Sequence, residues 1–311
     1  MKSIPVPQTV TIPAGGGALL LAQEHLPPGP VDPSLPTLVL AHGWTLTRAA
    51  WRPVIEALHA THAVRIVAYD HRGHGDSTMG DEAEVSVREL ARDLDAVIRA
   101  LAPEGPLVLG GHSMGGMTVM AYAGQFHTEL KARVRGVTLV STAASVAGRR
   151  PIPLEGLVMA IATRAPGIAP GPLVPVAVEG RMLFGDGARK EDVVEAVRMI
   201  QHTKMPTIGR YFHAIADHDE LTSLAHFVDV PTHVLVGTRD RLTPVAWGRR
   251  LAEQIPGARF TEFPGLGHML PYEATDAVTS SLLEHLTSSA PGARAESRSS
   301  RRSRGEAEPR G

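Results

Sequence analysis

The sequence predicts an α/β fold, a mostly parallel central sheet flanked by helices with a helical cap inserted late in the chain. Three observations carry this. Short apolar runs alternate with longer amphipathic ones over the first half, the pattern of parallel strands joined by crossover helices. The alternation lapses from 146 to 224, a stretch that reads as helical and broken by prolines, and then resumes. The 311 residues are 43% apolar, enough to bury one large core.

The leading QTVTIPAGGGALLLAQEHL alternates about a glycine turn and predicts a hairpin at the sheet edge. TLVLAHG at 37–43 and VRIVAYD at 64–70 read as buried strands. Between them, RAAWRPVIEALHA places Trp51, Val54, Ile55 and Leu58 at helical spacing, so it crosses from one strand to the next. SVRELARDLDAVIRALAP at 86–103 repeats the device and stops at Pro103. PLVLGGH then feeds Ser113, a helix runs from about Met114 through Gly124, and RVRGVTLVS at 133–141 is the next strand. After the lapse, PTHVLVG at 231–237 and ARFTEFPG at 258–265 are strands, LTPVAWGRRLAEQIPG is the helix between them, and YEATDAVTSSLLEHLTSS is a last helix. The resulting division is a core over 1–145 and 225–288, a cap over 146–224, and a tail over 289–311. The tail is rich in Ser, Arg, Gly and Pro and is expected to be disordered.

Composition removes several classes of function. Lys and Arg number 31 against 32 Asp and Glu, a net charge of −1, so no global field draws the protein to nucleic acid or to a membrane. The chain has no cysteine, which excludes disulfides, thiolate metal sites and a cysteine nucleophile together. The N-terminus lacks a continuous apolar stretch before its prolines, which predicts a cytoplasmic protein. LEGLVMAIATRAPGIAP at 154–170 is interrupted by Glu155, Arg164 and prolines; it is expected to be a buried or lid helix rather than a membrane span. Its apolar residues, with those of GPLVPVAVEGRMLFG and VVEAVRMI, suit either a pocket lining or packing of cap on core.

The chemistry gathers at GGHSMGG. A strand, the pattern Gly-x-Ser-x-Gly and then a helix hold a serine on a sharp turn with its hydroxyl exposed. Gly111 and Gly115 flank Ser113 where Cβ atoms would enter the turn. The helix N-terminus puts the free Met114 N–H beside the serine, where it can bind a developing oxyanion. Serine needs a base and a carboxylate that orients it. Asp240 in HVLVGTRDRLTP lies just past one late strand and His268 in GLGHMLPYE just past the next, at the strand ends where parallel sheets present functional groups.

In these motifs the chain resembles the α/β-hydrolase superfamily, in its capped serine esterase and cofactor-free haloperoxidase-like group, over roughly residues 8–288. The matching pieces are HGWTLTRAAW, YDHRGHGDS, GGHSMGG, GTRDRLTP and GLGHMLPYE, in the family's order. The resemblance implies a Ser113, Asp240 and His268 triad, with the Trp44 N–H as second oxyanion donor and no cofactor or metal. It also implies that Asp70, His71, Arg72 and Asp76 shape a loop, with Arg72 and Asp76 pairing locally. The Trp44 ring is expected to line the acyl pocket or simply to pack. His112 is expected to pack rather than to act as a second base. The run Asp217, His218, Asp219 and Glu220 has ligand-type side chains but reads as a solvated helix end. A serine nucleophile argues against the epoxide hydrolases and dehalogenases, which use aspartate there. The reaction expected is cleavage of a small or medium apolar carboxylic ester or lactone through an acyl-enzyme. The same triad also suits perhydrolysis, acyl transfer, lyase chemistry or carbon–carbon bond hydrolysis, and the fold also serves ligand-binding receptors.

Overall fold

The computed structural model describes residues 5–81, 85–149, 152–172 and 176–288. The tail expected to be disordered lies outside them. Eight strands form one sheet: β1 (Gln8–Pro13), β2 (Leu19–His25), β3 (Thr37–Ala41), β4 (Ile66–Tyr69), β5 (Leu107–His112), β6 (Val134–Val140), β7 (Thr232–Gly237) and β8 (Arg259–Phe263). Their spatial order is β1-β2-β4-β3-β5-β6-β7-β8. The β1–β2 hairpin joins antiparallel to β4, and every pairing from β4 to β8 is parallel.

The pleat explains why so many strand residues are apolar, since both faces of the sheet are covered. Along β3, Val39 and Ala41 join one core cluster while Leu38 and Leu40 join the other. Helices α1 (Arg52–Thr61) and α11 (Thr275–Thr287) cover the second face through Val54, Leu58, Val278 and Leu282. On the first face lie α2 (Val87–Leu101), α3 (Met114–Gln125) and α9 (Val245–Gln254). Local signals set the boundaries. The Ser86 hydroxyl caps α2 by accepting from Glu89 N at 3.1 Å, and Pro53 stands in the first turn of α1, where its missing N–H costs nothing. A short α4 (His127–Arg133), not anticipated from the sequence, precedes β6. The last helix is two, α10 (Leu270–Glu273) and α11, broken at Ala274 with φ −135° and ψ 43°.

Between β6 and β7 stand α5 (Glu155–Arg164), α6 (Val176–Leu183), α7 (Lys190–His202) and α8 (Met205–Ala216). Tyr211 of α8 donates from its hydroxyl to Arg72 O at 3.1 Å, and Thr207 Oγ1 donates to Gly73 O at 3.0 Å. These bonds pin α8 to the loop after β4. The segment at 154–170 is not a buried helix. Leu157, Val158 and Ile161 of α5 are exposed and only its Ala162 is buried. No helix among the described residues is long and apolar enough to cross a membrane.

Candidate active site

β5 runs straight into α3, and Ser113 makes the corner with φ 53° and ψ −119°. A non-glycine residue at positive φ carries strain, so its surroundings must hold it there. Ser113 N donates to Val140 O at 2.9 Å, and Thr142 Oγ1 donates to Ser113 O at 2.8 Å. The flanking glycines permit the corner by close approach. A Cβ on Gly111 would stand 2.6 Å from Gly115 O, and one on Gly115 would strike Ala41 O and come within 2.7 Å of His42 O.

Asp240 and His268 come from the C-terminal ends of β7 and β8. His268 Nδ1 lies 2.8 Å from Asp240 Oδ2. Asp240 Oδ1 accepts from Leu242 N at 2.9 Å and Thr243 N at 2.8 Å, and Oδ2 accepts from Thr243 Oγ1 at 2.8 Å. Burial would raise the Asp240 pKa, but the facing His268 and the Thr243 hydrogen bonds outweigh it, and the net direction is down. An ionised carboxylate only accepts, so His268 Nδ1 carries the proton of that bond. Among the described residues no hydrogen bond joins Ser113 Oγ to His268, although the two loops meet. His112, next to the serine, donates from Nε2 to His268 O at 2.9 Å.

His112 therefore does more than pack. Its ring lies 4.9 Å from that of His268, and burial, then the neighbouring His268, lowers its pKa to about 3. It stays neutral and positions the His268 backbone.

The loop after β3 crosses directly over the serine: a Cβ on Gly43 would lie 3.2 Å from Ser113 Cβ. Among the described residues neither Trp44 N nor Met114 N donates to any acceptor. His42, which the sequence reading left without a role, sets the direction of the first. Its Nδ1 donates to Gly43 O at 2.7 Å, while its Nε2 accepts from His71 N at 3.0 Å. In a planar trans peptide the carbonyl and N–H point oppositely, so fixing Gly43 O turns the Trp44 N–H away from His42. Burial lowers the His42 pKa to about 3, which preserves this neutral donor and acceptor pair. The half-buried Trp44 ring packs at 6.3 Å from that of Phe212 on α8.

Glu273 was also missed. Its carboxylate accepts from Gly267 N at 2.9 Å and Met269 N at 3.1 Å, the residues on either side of His268, and from Gly185 N at 2.7 Å. His268 N in turn donates to Leu183 O at 2.7 Å. The end of α6 and the histidine loop are thus one stitched unit. The only cue in sequence is a glutamate five residues past the histidine.

The remaining candidates are structural. Asp70 accepts from Arg48 N at 2.7 Å and Asp76 N at 3.0 Å, and it pairs with the Arg48 guanidinium. His71 Nε2 donates to His42 O at 3.0 Å. Arg72 does not pair with Asp76. Its Nε donates to Asp93 Oδ2 at 2.7 Å and its Nη2 to Asp93 Oδ1 at 2.6 Å, while Asp76 pairs with Arg48 at 3.0 Å. The pairing differs because the buried Arg72 meets α2 instead of its own loop. Nor is Asp217–Glu220 simply a solvated end. Asp217 and Asp219 are exposed, but His218 and Glu220 are buried; His218 Nε2 donates to Ala143 O at 3.1 Å and Glu220 pairs with Arg88 at 2.7 Å. Among the described residues no group of three or more His, Asp or Glu side chains is arranged to hold a metal ion. A cavity of about 1080 Å³ lies between α7 and the loop after β3, lined by Thr47, Arg48, Asp76, Glu195 and Arg198 among others; it includes neither Ser113 nor His268.

Residues 38–280 match the family described as the alpha/beta hydrolase family. The chain is 29% identical over 264 residues to a monoacylglycerol lipase of Mycolicibacterium smegmatis, covering 80% of this chain and 88% of that one. It is 28% identical over 267 residues to the pimeloyl-(acyl-carrier protein) methyl ester esterase of Chromobacterium violaceum, covering 82% and 96%. A thermophilic esterase from Thermogutta terrifontis superposes with a TM-score of 0.71 at 25% identity, covering 89% of this chain and 97% of that structure.

Proposed function

Since the chain belongs to the α/β-hydrolase family and is an enzyme of that kind, we propose that it cleaves a small or medium apolar carboxylic ester or lactone through a serine acyl-enzyme. The observation that carries the reading is the 2.8 Å bond from His268 to Asp240 beside a serine held at φ 53°. Esterases and a lipase among its relatives support the bond type.

Ser113 Oγ attacks the substrate carbonyl as His268 Nε2 takes its proton. Asp240 holds the imidazole in the required tautomer and stabilises the imidazolium. The carbonyl oxygen becomes an oxyanion that the Trp44 and Met114 N–H groups stabilise as donors. His268 then protonates the leaving alcohol oxygen, and water activated by the same nitrogen releases the acid. The core of 1–145 and 225–288 supplies this machinery. The helices of 146–224 form the cap, with Phe212 and Trp44 as the apolar boundary of the acyl site. The partner is a small molecule, and no cofactor enters the cycle.

A fluorophosphonate should label Ser113, with the adduct located by peptide mass spectrometry. Ser113→Ala should lower turnover of nitrophenyl esters by at least ~10³-fold with unchanged thermal stability. Substantial turnover surviving in that variant would overturn the assignment.

A further inference from the structure

The turn that carries Trp44 is strained one residue later. Leu46 N donates to Gly43 O at 3.2 Å and closes a four-residue turn over 43–46, in which Thr45 holds φ at 62°. A turn with positive φ at its third position asks for glycine or asparagine there, and a β-branched side chain makes the conformation an outlier. Its neighbours must therefore keep it in place. The closure matters because Gly43 O belongs to the same peptide as the Trp44 N–H, whose direction His42 sets by donating from Nδ1 at 2.7 Å. Gly43 O thus has two anchors, and the second exists only while Thr45 keeps its strained angle.

What holds that angle comes from the insertion. Thr203, the residue that ends α7, donates from Oγ1 to Thr45 O at 2.9 Å, and among the described residues no other donor reaches that carbonyl. The next two residues of the loop are gripped as well: Leu46 packs with Leu183, Phe184 and Val197, and Thr47 Oγ1 donates to Met199 Sδ at 3.2 Å. Thr45 and Thr203 are both buried, so breaking their bond leaves a buried carbonyl unpaired. The Thr203 hydroxyl has one proton and also lies 3.1 Å from Met199 O, the carbonyl four residues back that a helical threonine ordinarily takes. Its shorter reach is to Thr45.

We propose that Thr203 is a positioning residue for the oxyanion: by holding Thr45 O it keeps Thr45 at positive φ, the turn closed and the Trp44 N–H aimed. Both bonds of its hydroxyl go to backbone carbonyls, so it acts through the loop and not on substrate. The insertion then does more than wall the acyl site, because one of its side chains sets the geometry of a donor in the core. The catalytic consequence rests on the esterase reading, whereas the grip on the turn does not.

Thr203→Val removes the hydroxyl and keeps the branched shape. With circular dichroism as in wild type, it should lower kcat for nitrophenyl esters roughly tenfold with KM within about twofold, because an N–H that serves the transition state is loosened rather than removed. Thr203→Ser, which keeps the donor, should recover most of the loss. Adding Thr45→Gly to Thr203→Val should also restore turnover, since glycine takes positive φ unaided; a threonine that only filled space would show no such rescue. Hydrogen exchange of the Leu46 N–H, followed without any substrate, should speed about tenfold in Thr203→Val and return to the wild-type rate in the double variant. Wild-type kcat or wild-type exchange in Thr203→Val would overturn the proposal, as would a loss that Thr45→Gly leaves untouched. If Ser113→Ala keeps wild-type turnover while the exchange rates move as expected, the esterase reading fails alone and the grip on the turn stands.

Discussion

The floor around Ser113 and the helices above it follow opposite rules. In the floor, neutral histidines, glycines in backbone contact and a carboxylate bonded to three amides leave almost no freedom. In the insertion, α5 holds its place by one face and turns large aliphatic residues to solvent. Side chains in the floor are buried and engaged by neighbours, so its geometry is over-determined and can carry strain at Ser113. The insertion is fastened to the core by Tyr211, Thr207, Thr203 and the Gly185–Glu273 bond and by an apolar cluster of Leu183, Phe184 and Val197 with Leu46 and Met269, while its outer helix α5 presents a surface.

The widest separation between the two regions should appear in acid. His42, His74, whose ring lies 5.4 Å from that of His42, and His112 are held near pKa 3, first by burial, against 6.5 when free. Below pH 6.5 the unfolded chain takes up protons that the folded chain refuses. Stability is therefore full above 6.5 and falls as pH drops toward 3, by about 1.4 kcal/mol per pH unit for each imidazole. The insertion's His202 and His213 lie exposed instead. Urea midpoints at pH 7.5, 6 and 5 measure this, and a flat series would contradict it.

One substitution made in both regions sharpens the contrast further. Gly115→Ala drives a Cβ into the Ala41 and His42 backbone and should cost ~3 kcal/mol or more, with loss of activity. Gly156→Ala, in α5 with nothing within 4 Å of the added atom, should stabilise by up to ~1 kcal/mol. Thermal melts that move the same way for both would erase the distinction.

The smallest effect is expected where the regions join. Glu273→Gln keeps an acceptor but loses one carboxylate oxygen and the charge, and kcat should fall about tenfold with KM little changed. An unaltered pH–rate profile together with wild-type kcat would show that Glu273 only fills space.

Much of the floor was legible in the sequence because its constraints are local. The Gly-x-Ser-x-Gly corner, the strand ends before Asp240 and His268, and the caps of α2 are written within a few residues of where they act. The partner of Arg72 was not, since Asp93 lies 21 residues on and only the packing of α2 selects it over Asp76. Glu273 was hidden for a related reason: its partners are backbone N–H groups, which every residue offers. For α5, the spacing 154, 157, 158 and 161 describes a stripe but not which way it faces. Gly209 of α8, where an added Cβ would lie 2.5 Å from Met159 O, decides that from far along the chain.

The Gly43–Trp44 peptide behaves as a rigid plank with two ends. His42 fastens one end, so the aim of the other is settled by a side chain that never meets the substrate. Under the proposed function, position 44 is then free to change its ring for another group and reshape the acyl boundary while offering the same donor. Position 42 has no such licence, for a substitution there loosens the plank itself. Specificity and catalysis, adjacent in the chain, can in this way be altered one without the other.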